Sequence, residues 1–255
     1  MNLKFIGTSS GQANLIRNHS SILFDSNTTK ILIDCGDGIS KSLLQLKIFP
    51  NEINKIIISH FHADHLAGLP SLLTQMIISK RKELINIYVP KGLLKTLMKF
   101  LQASFLFIDK YEFEINLIEF EFNKSLKLET NFSFLAKQNS HIINKHKLRI
   151  PDLEFISVSF LFEINDKKII YTSDIGKNDD LYIFKDFNSD IFITETTHIE
   201  LQEIENFVIS QNPKKVILTH INFDDEIKIQ NWHSSLPKNL HKKIKIAEDR
   251  LKVKL

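Results

Sequence analysis

The run Ser59-His60-Phe61-His62-Ala63-Asp64-His65 follows directly on three consecutive isoleucines, Ile56-Ile57-Ile58. A short unbroken apolar run of this kind reads as a strand buried on both faces. Between His60 and His65, all but Phe61 and Ala63 carry side chains that can bind metals. The chain must therefore end an interior strand at a polar, ligand-rich edge. His60 and His62, two apart on an extended exit from the strand, point the same way. Asp64 and His65 are offset from them, so one segment can serve two metal ions about 3.5–4 Å apart. Leu66-Ala67-Gly68-Leu69-Pro70 then turns the chain into a helix, and Pro70 suits its first turn.

Around this segment, short β-branched and aromatic runs recur between turn residues. Strands are predicted at 3–6, 21–24, 30–33, 55–59, 85–89, 113–122, 132–136, 157–163, 168–172, 190–194, 215–219 and 251–255. Apolar residues at three- and four-residue spacing predict helices at 40–46, 69–79, 91–103 and 200–210. Strands in runs, with helices between some of them, predict a layered α/β protein with mixed sheets. No repeat, low-complexity stretch or Pro/Gly/Ser linker cuts the chain, so residues 1–255 are expected to form a single domain.

A site on two metals needs more ligands than one segment supplies, and in open α/β sheets they lie beyond the carboxyl ends of strands. Asp174 follows the 168–172 strand, and His220 ends Val216-Ile217-Leu218-Thr219-His220. Asp34 ends the 30–33 strand, and His141 follows the 132–136 strand, with His146 as an alternative five residues later. Glycine sharpens the map. The chain holds only 7, and Gly7, Gly11, Gly36, Gly38, Gly68 and Gly176 flank these segments while Gly92 does not.

Composition closes other routes. A lone cysteine, Cys35, excludes a disulfide framework and a Cys-rich zinc module, and it fits a reducing compartment. No apolar run approaches the roughly 18 residues of a membrane span. The start, Met1 to Thr8, reaches polar turn residues too soon for a secretory leader, so the expected location is the cytoplasm. A net charge of +3 is no global nucleic-acid signature. The clusters Lys80-Arg81-Lys82, Lys145-His146-Lys147 with Arg149, and Lys242-Lys243-Lys245 read as solvated faces, with a phosphate-binding patch as the alternative.

In order along the chain, Asp34, the His60–His65 segment, His141, Asp174 and His220 resemble the five motifs of the metallo-β-lactamase-fold hydrolases. The resemblance implies a four-layer αββα sandwich with two mixed sheets and two divalent metal ions, zinc or manganese. It implies that His60, His62 and His141 bind one ion, Asp64, His65 and His220 the other, with Asp174 bridging. Asp34 would support the histidine loop through hydrogen bonds.

Gly7-Thr8-Ser9-Ser10-Gly11, Asp34-Cys35-Gly36-Asp37-Gly38 and the segment from Ser59 to Pro70 resemble the phosphodiesterase branch, which includes ribonuclease Z. That likeness implies a metal-bridged hydroxide attacking a phosphodiester, with Asp64 and Asp34 among the catalytic residues. Thr194-Glu195-Thr196-Thr197-His198 resembles the Glu–His element of that branch, which makes His198 the candidate general acid; a helix-capping or merely exposed residue is the alternative. Two departures point away from a long RNA. Only 33 residues separate His141 from Asp174 (174 − 141), which leaves no room for a tRNA-gripping arm, and Asp224-Asp225-Glu226 place acid after His220. The expected partner is thus a phosphodiester, either RNA or a small cyclic nucleotide or sugar phosphate, with no membrane; a homodimer is compatible with the reading. Hydrolysis of a thioester, lactone or β-lactam on the same metals, or metal binding without catalysis, are the alternatives.

Overall fold

The computed structural model describes residues 1–26, 28–143, 150 and 153–255, so His146 and the basic run around it lie outside the described residues. The chain forms two compact units, one built on Met1–Phe120 with Glu248–Leu255, the other on Glu121–Ile143 with Ile156–Ala247. The first unit carries strands β1 (Asn2–Gly7), β2 (Ser21–Asp25), β3 (Lys30–Ile33), β4 (Lys55–Ile57), β5 (Ile85–Pro90) and β6 (Ile115–Phe120). Its helices are α1 (Ile39–Gln45), α2 (Ala63–Leu66), α3 (Leu69–Ile78) and α4 (Leu94–Ala103). The second unit carries β7 (Ser125–Glu129), β8 (Phe132–Gln138), β9 (Val158–Ile164), β10 (Lys167–Tyr171), β11 (Ile191–Thr194), β12 (Lys215–Leu218) and β13 (Ile244–Ile246). Its helices are α5 (Leu201–Gln211), α6 (Glu226–Ser235) and α7 (Lys238–Lys243). A last strand, β14 (Lys252–Lys254), returns to the first unit.

Each unit holds one seven-stranded mixed sheet. In the first the order is β14-β1-β2-β3-β4-β5-β6, antiparallel from β14 to β3 and parallel from β3 to β6. In the second the order is β13-β12-β11-β10-β9-β8-β7, parallel from β13 to β10 and antiparallel beyond. Strands β3, β4 and β12 are apolar on both faces: Ile31, Leu32, Ile56, Ile57, Val216, Ile217 and Leu218 are all fully buried. A strand covered on both sides needs a continuous apolar run, which is what these short segments supply.

Register positions the site. Ile33 pairs with Ile57, so β3 and β4 end together and Asp34 and Ser59 emerge side by side. In the second unit Tyr171 pairs with Ile193 and Thr194 with Leu218, so β10, β11 and β12 also end at one level. Helix α5 is fixed beneath by Ile204, Phe207 and Val208, with the Phe207 ring 4.2 Å from Phe192 of β11.

The predicted strand at 113–122 is the shorter β6, which stops at Phe120; a turn then leads into β7, which was not predicted and whose Ser-Leu-Lys-Leu-Glu run buries only Leu128. Helices α6 and α7 and strand β13 were not predicted. α6 buries Ile229 alone and so shows no apolar stripe.

Candidate metal centre

In the first unit the ligand types converge on one backbone turn. Asp34 is fully buried and takes a left-handed conformation, φ 61°. For a residue with a β-carbon that costs about 1–2 kcal/mol. The conformation turns its carboxylate back toward the neighbouring strand end. There Oδ1 accepts from the Ser59 backbone N–H at 2.7 Å, and Oδ2 accepts from the Ser59 hydroxyl at 2.9 Å. Oδ2 also accepts from His65 Nδ1 at 2.8 Å. The proton of His65 is thereby held on Nδ1, so Nε2 presents its lone pair, 3.5 Å from Oδ2 of Asp64. His62 stands at the start of the single turn α2 and is exposed, while His60, Asp64 and His65 are buried. The His60 ring lies 4.1 Å from that of His65 and 4.8 Å from that of His62. Gly36 permits the packing: a β-carbon there would sit 2.3 Å from the Asp64 carbonyl oxygen.

The second unit gathers the remaining candidates. His141 Nε2 lies 3.5 Å from Asp174 Oδ2, and His220 Nε2 lies 3.2 Å from the same oxygen. Backbone strain recurs here, with φ 54° at Ser173, beside Asp174, and φ 54° at His220. Such strain collects where side-chain direction matters more than backbone comfort. Gly176 lets the following loop close on Ser140, whose carbonyl oxygen would be 2.2 Å from a β-carbon at that place.

The donor set fits divalent metal ions. Two ligands each about 2.0–2.1 Å from a tetrahedral cation lie about 3.4 Å from each other. The pairs Asp64–His65, Asp174–His141 and Asp174–His220, at 3.5, 3.5 and 3.2 Å, match that separation. Imidazole and carboxylate donors together suit a divalent cation.

His198 lies next to two of these candidates, its ring 4.7 Å from His141 and 5.8 Å from His220. Its Nδ1 is 2.9 Å from Glu195 Oε1. The buried Glu195 carboxylate also accepts from the backbone N–H groups of Ile175, Thr197 and His198 at 2.8, 2.9 and 2.8 Å. It therefore fixes the imidazole with Nδ1 protonated. A helix-capping role does not hold, because α5 begins at Leu201 behind Glu200, but His198 is exposed, as the other alternative expects.

Two supports, Asn139 and Asp180, went unrecognised in the sequence, while Glu195 stands there as part of the Glu–His element. Asn139 donates to the Asp174 carbonyl at 2.9 Å and accepts from the His141 N–H at 3.1 Å, tying two candidate ligands together. Asp180 accepts from Ser140 Oγ at 2.6 Å and Gly176 N at 3.0 Å. A buried acceptor inside a polar run leaves no periodic signal. Of the other histidines, His233 Nε2 donates to the Ile244 carbonyl, 2.8 Å away, and its ring packs on His241, both apart from the cluster. Cys35 is buried, and burial pushes its thiol pKa well up, as for a small core hydrophobe.

Fold and ligand set together define a protein of the metallo-β-lactamase fold. The structure superposes on the metallo-β-lactamase fold protein YhfI of Bacillus subtilis with a TM-score of 0.75 at 18% identity, covering 99% of this chain and 98% of that one. It superposes on the short form of human tRNase Z with a TM-score of 0.76 at 21% identity, covering 100% and 99%. More particularly, residues 1–236 match the family described as anti-Pycsar protein Apyc1, and the chain belongs to that family. It is also 36% identical over 152 residues to a ribonuclease Z of Prochlorococcus marinus strain MIT 9301, a match spanning 59% of this chain and 44% of that protein. The chain thus covers less than half the length of that relative.

Proposed function

We propose that this chain is a metal-dependent phosphodiesterase that uses two divalent ions, zinc or manganese. The reading rests above all on Asp174, one carboxylate oxygen of which faces His141 and His220 at ligand–ligand distances. An oxygen so placed is suited to join two metals. In this proposal His60, His62 and His141 serve one ion, and Asp64, His65 and His220 the other. The bound ions would supply Lewis acidity toward the phosphoryl oxygens and a water acidic enough to react near neutral pH.

The chain's own residues do the rest. Asp34 holds His65 in the tautomer that leaves Nε2 available. Asp64 and Asp174 bring negative charge to the cations. Glu195 orients His198 through Nδ1, so that Nε2 can deliver a proton to the leaving oxygen. His198 is suited to meet substrate because its side chain is 38% exposed, whereas Glu195 is 1% exposed.

The substrate that suits this site best is a small diester, such as a cyclic nucleotide or a cyclic sugar phosphate, rather than RNA. The short interval between His141 and Asp174 and the acidic Asp224, Asp225 and Glu226 after His220 support that choice. A cytoplasmic setting suits the buried, unpaired-by-disulfide Cys35. Among the described residues, no helix is long and apolar enough to cross a membrane.

A screen with bis-p-nitrophenyl phosphate, a thioester and a β-lactam reporter, each with zinc or manganese, tests the reaction class. Turnover of the diester is expected. Turnover of the thioester with the diester untouched contradicts the proposal. Cyclic nucleotides against a 3′-extended tRNA then separate small from polymeric substrates.

A further inference from the structure

Asp249 lies far along the chain from every candidate ligand and outside the segment that matches the family, yet it anchors the loop that backs Asp64. Its Oδ1 accepts from the Thr8 hydroxyl at 2.7 Å. Its Oδ2 accepts from both the backbone N–H and the side-chain amide of Asn18, each at 2.7 Å. Thr8 in turn accepts from Arg17 Nη1 at 2.7 Å, so its single hydroxyl proton is committed to Asp249. Thr8 and Arg17 are buried.

These bonds close the base of a loop running from Ser9 to Asn18. Ser9 N–H donates to the Asn18 carbonyl at 2.9 Å, and Asn14 Oδ1 accepts from the N–H groups of Ile16 and Arg17 at 2.7 and 3.3 Å. Within that loop Gly11 lies directly on Asp64. A β-carbon at Gly11 would be 3.6 Å from Cγ and from both carboxylate oxygens of Asp64. Beyond the loop, His19 packs its β-carbon 2.6 Å from where a side chain on Gly36 would begin, and Gly36 itself abuts the Asp64 backbone. The Asp64 carboxylate is thus walled by a segment whose position Asp249 sets.

We infer that Asp249 is a positioning residue for the metal centre, fixing the Asp64 carboxylate through Thr8, Asn18 and the Gly11 loop. The inference rests on the proposed ligand role of Asp64. Residues that orient metal ligands at second hand commonly change metal affinity 10- to 100-fold when replaced. Asp249 stands one further step away, so the lower figure applies. Burial pushes the Asp249 carboxyl pKa above the ordinary value, which means that its anchoring bonds are kept against a desolvation cost.

The test is a zinc titration of metal-free protein against a chromophoric chelator, with thermal unfolding of each metal-free variant alongside. The parent is expected to bind two equivalents. In Asp249→Asn and in Thr8→Val one equivalent should bind about tenfold more weakly and the other as in the parent. Thr8→Ser, which keeps the hydroxyl, should restore parental affinity at both. Parental affinity for both equivalents in Asp249→Asn and Thr8→Val, with only the unfolding temperature lowered, overturns the inference and leaves a purely structural role. A parent that binds no zinc overturns the underlying ligand reading instead, a result distinguishable because it appears before any variant is made.

Discussion

Replacing Asp34 by Asn tests the geometry most sharply, because the change is isosteric and every partner of the carboxylate is a donor. The Ser59 N–H points at Oδ1 and cannot change its role, so the amide oxygen must stay there. The new NH2 group then occupies the place of Oδ2, facing the Ser59 hydroxyl and His65 Nδ1. The hydroxyl can rotate and accept. His65 can accept on Nδ1 only by moving its proton to Nε2, and a protonated Nε2 cannot bind a metal. Loss of such an orienting partner costs 10- to 100-fold in affinity, or about 1.4–2.8 kcal/mol. Exchanging a charged acceptor for a neutral one in a buried network should cost the metal-free fold about 1.5–3 kcal/mol. Calorimetric titration of zinc into Asp34→Asn should therefore show one weakened equivalent and one near-normal. Two equivalents at parental affinity would refute the tautomer argument.

Asp174→Ala removes the oxygen that faces two imidazoles, so both equivalents should weaken together; unchanged two-metal binding would contradict a bridging role. His198→Ala should retain both metals and slow diesters with a poor leaving group by about 10²–10⁴-fold, while p-nitrophenyl diesters, whose leaving group needs no proton, are nearly spared. Equal loss on both substrate types would remove His198 as the acid. Gly36→Ala places a β-carbon 2.3 Å from the Asp64 carbonyl, and the urea midpoint should fall by the equivalent of at least about 3 kcal/mol; a parental midpoint would show that the turn has room.

The sequence already contained most of what places the site. Ile56-Ile57-Ile58 is legible because a strand covered on both faces must be apolar throughout, and the ligand types that follow stand out against it. Strand ends also announced Asp34, Asp174 and His220, since each polar residue directly or closely follows an apolar run. What stayed hidden was of two kinds. Strand β13 and helices α6 and α7 bury too few residues to leave a period, so local pattern carries no trace of them. Asn139 and Asp180 act through hydrogen bonds to backbone groups far away in sequence, and only the fold reveals that Asn139 meets Asp174. The glycines fall between these cases. Their shortage was visible, but the reason at Gly36 and Gly176 is a backbone contact with a distant segment.

The central claim is that two metal ions held by this donor set make a phosphodiesterase. It is tested most directly by hydrolysis of bis-p-nitrophenyl phosphate as zinc or manganese is added stepwise to metal-free protein. The account predicts negligible turnover without metal and a rise to a plateau at two equivalents per chain. Full activity at one equivalent would contradict the dinuclear site, and no hydrolysis at any loading would contradict the reaction itself.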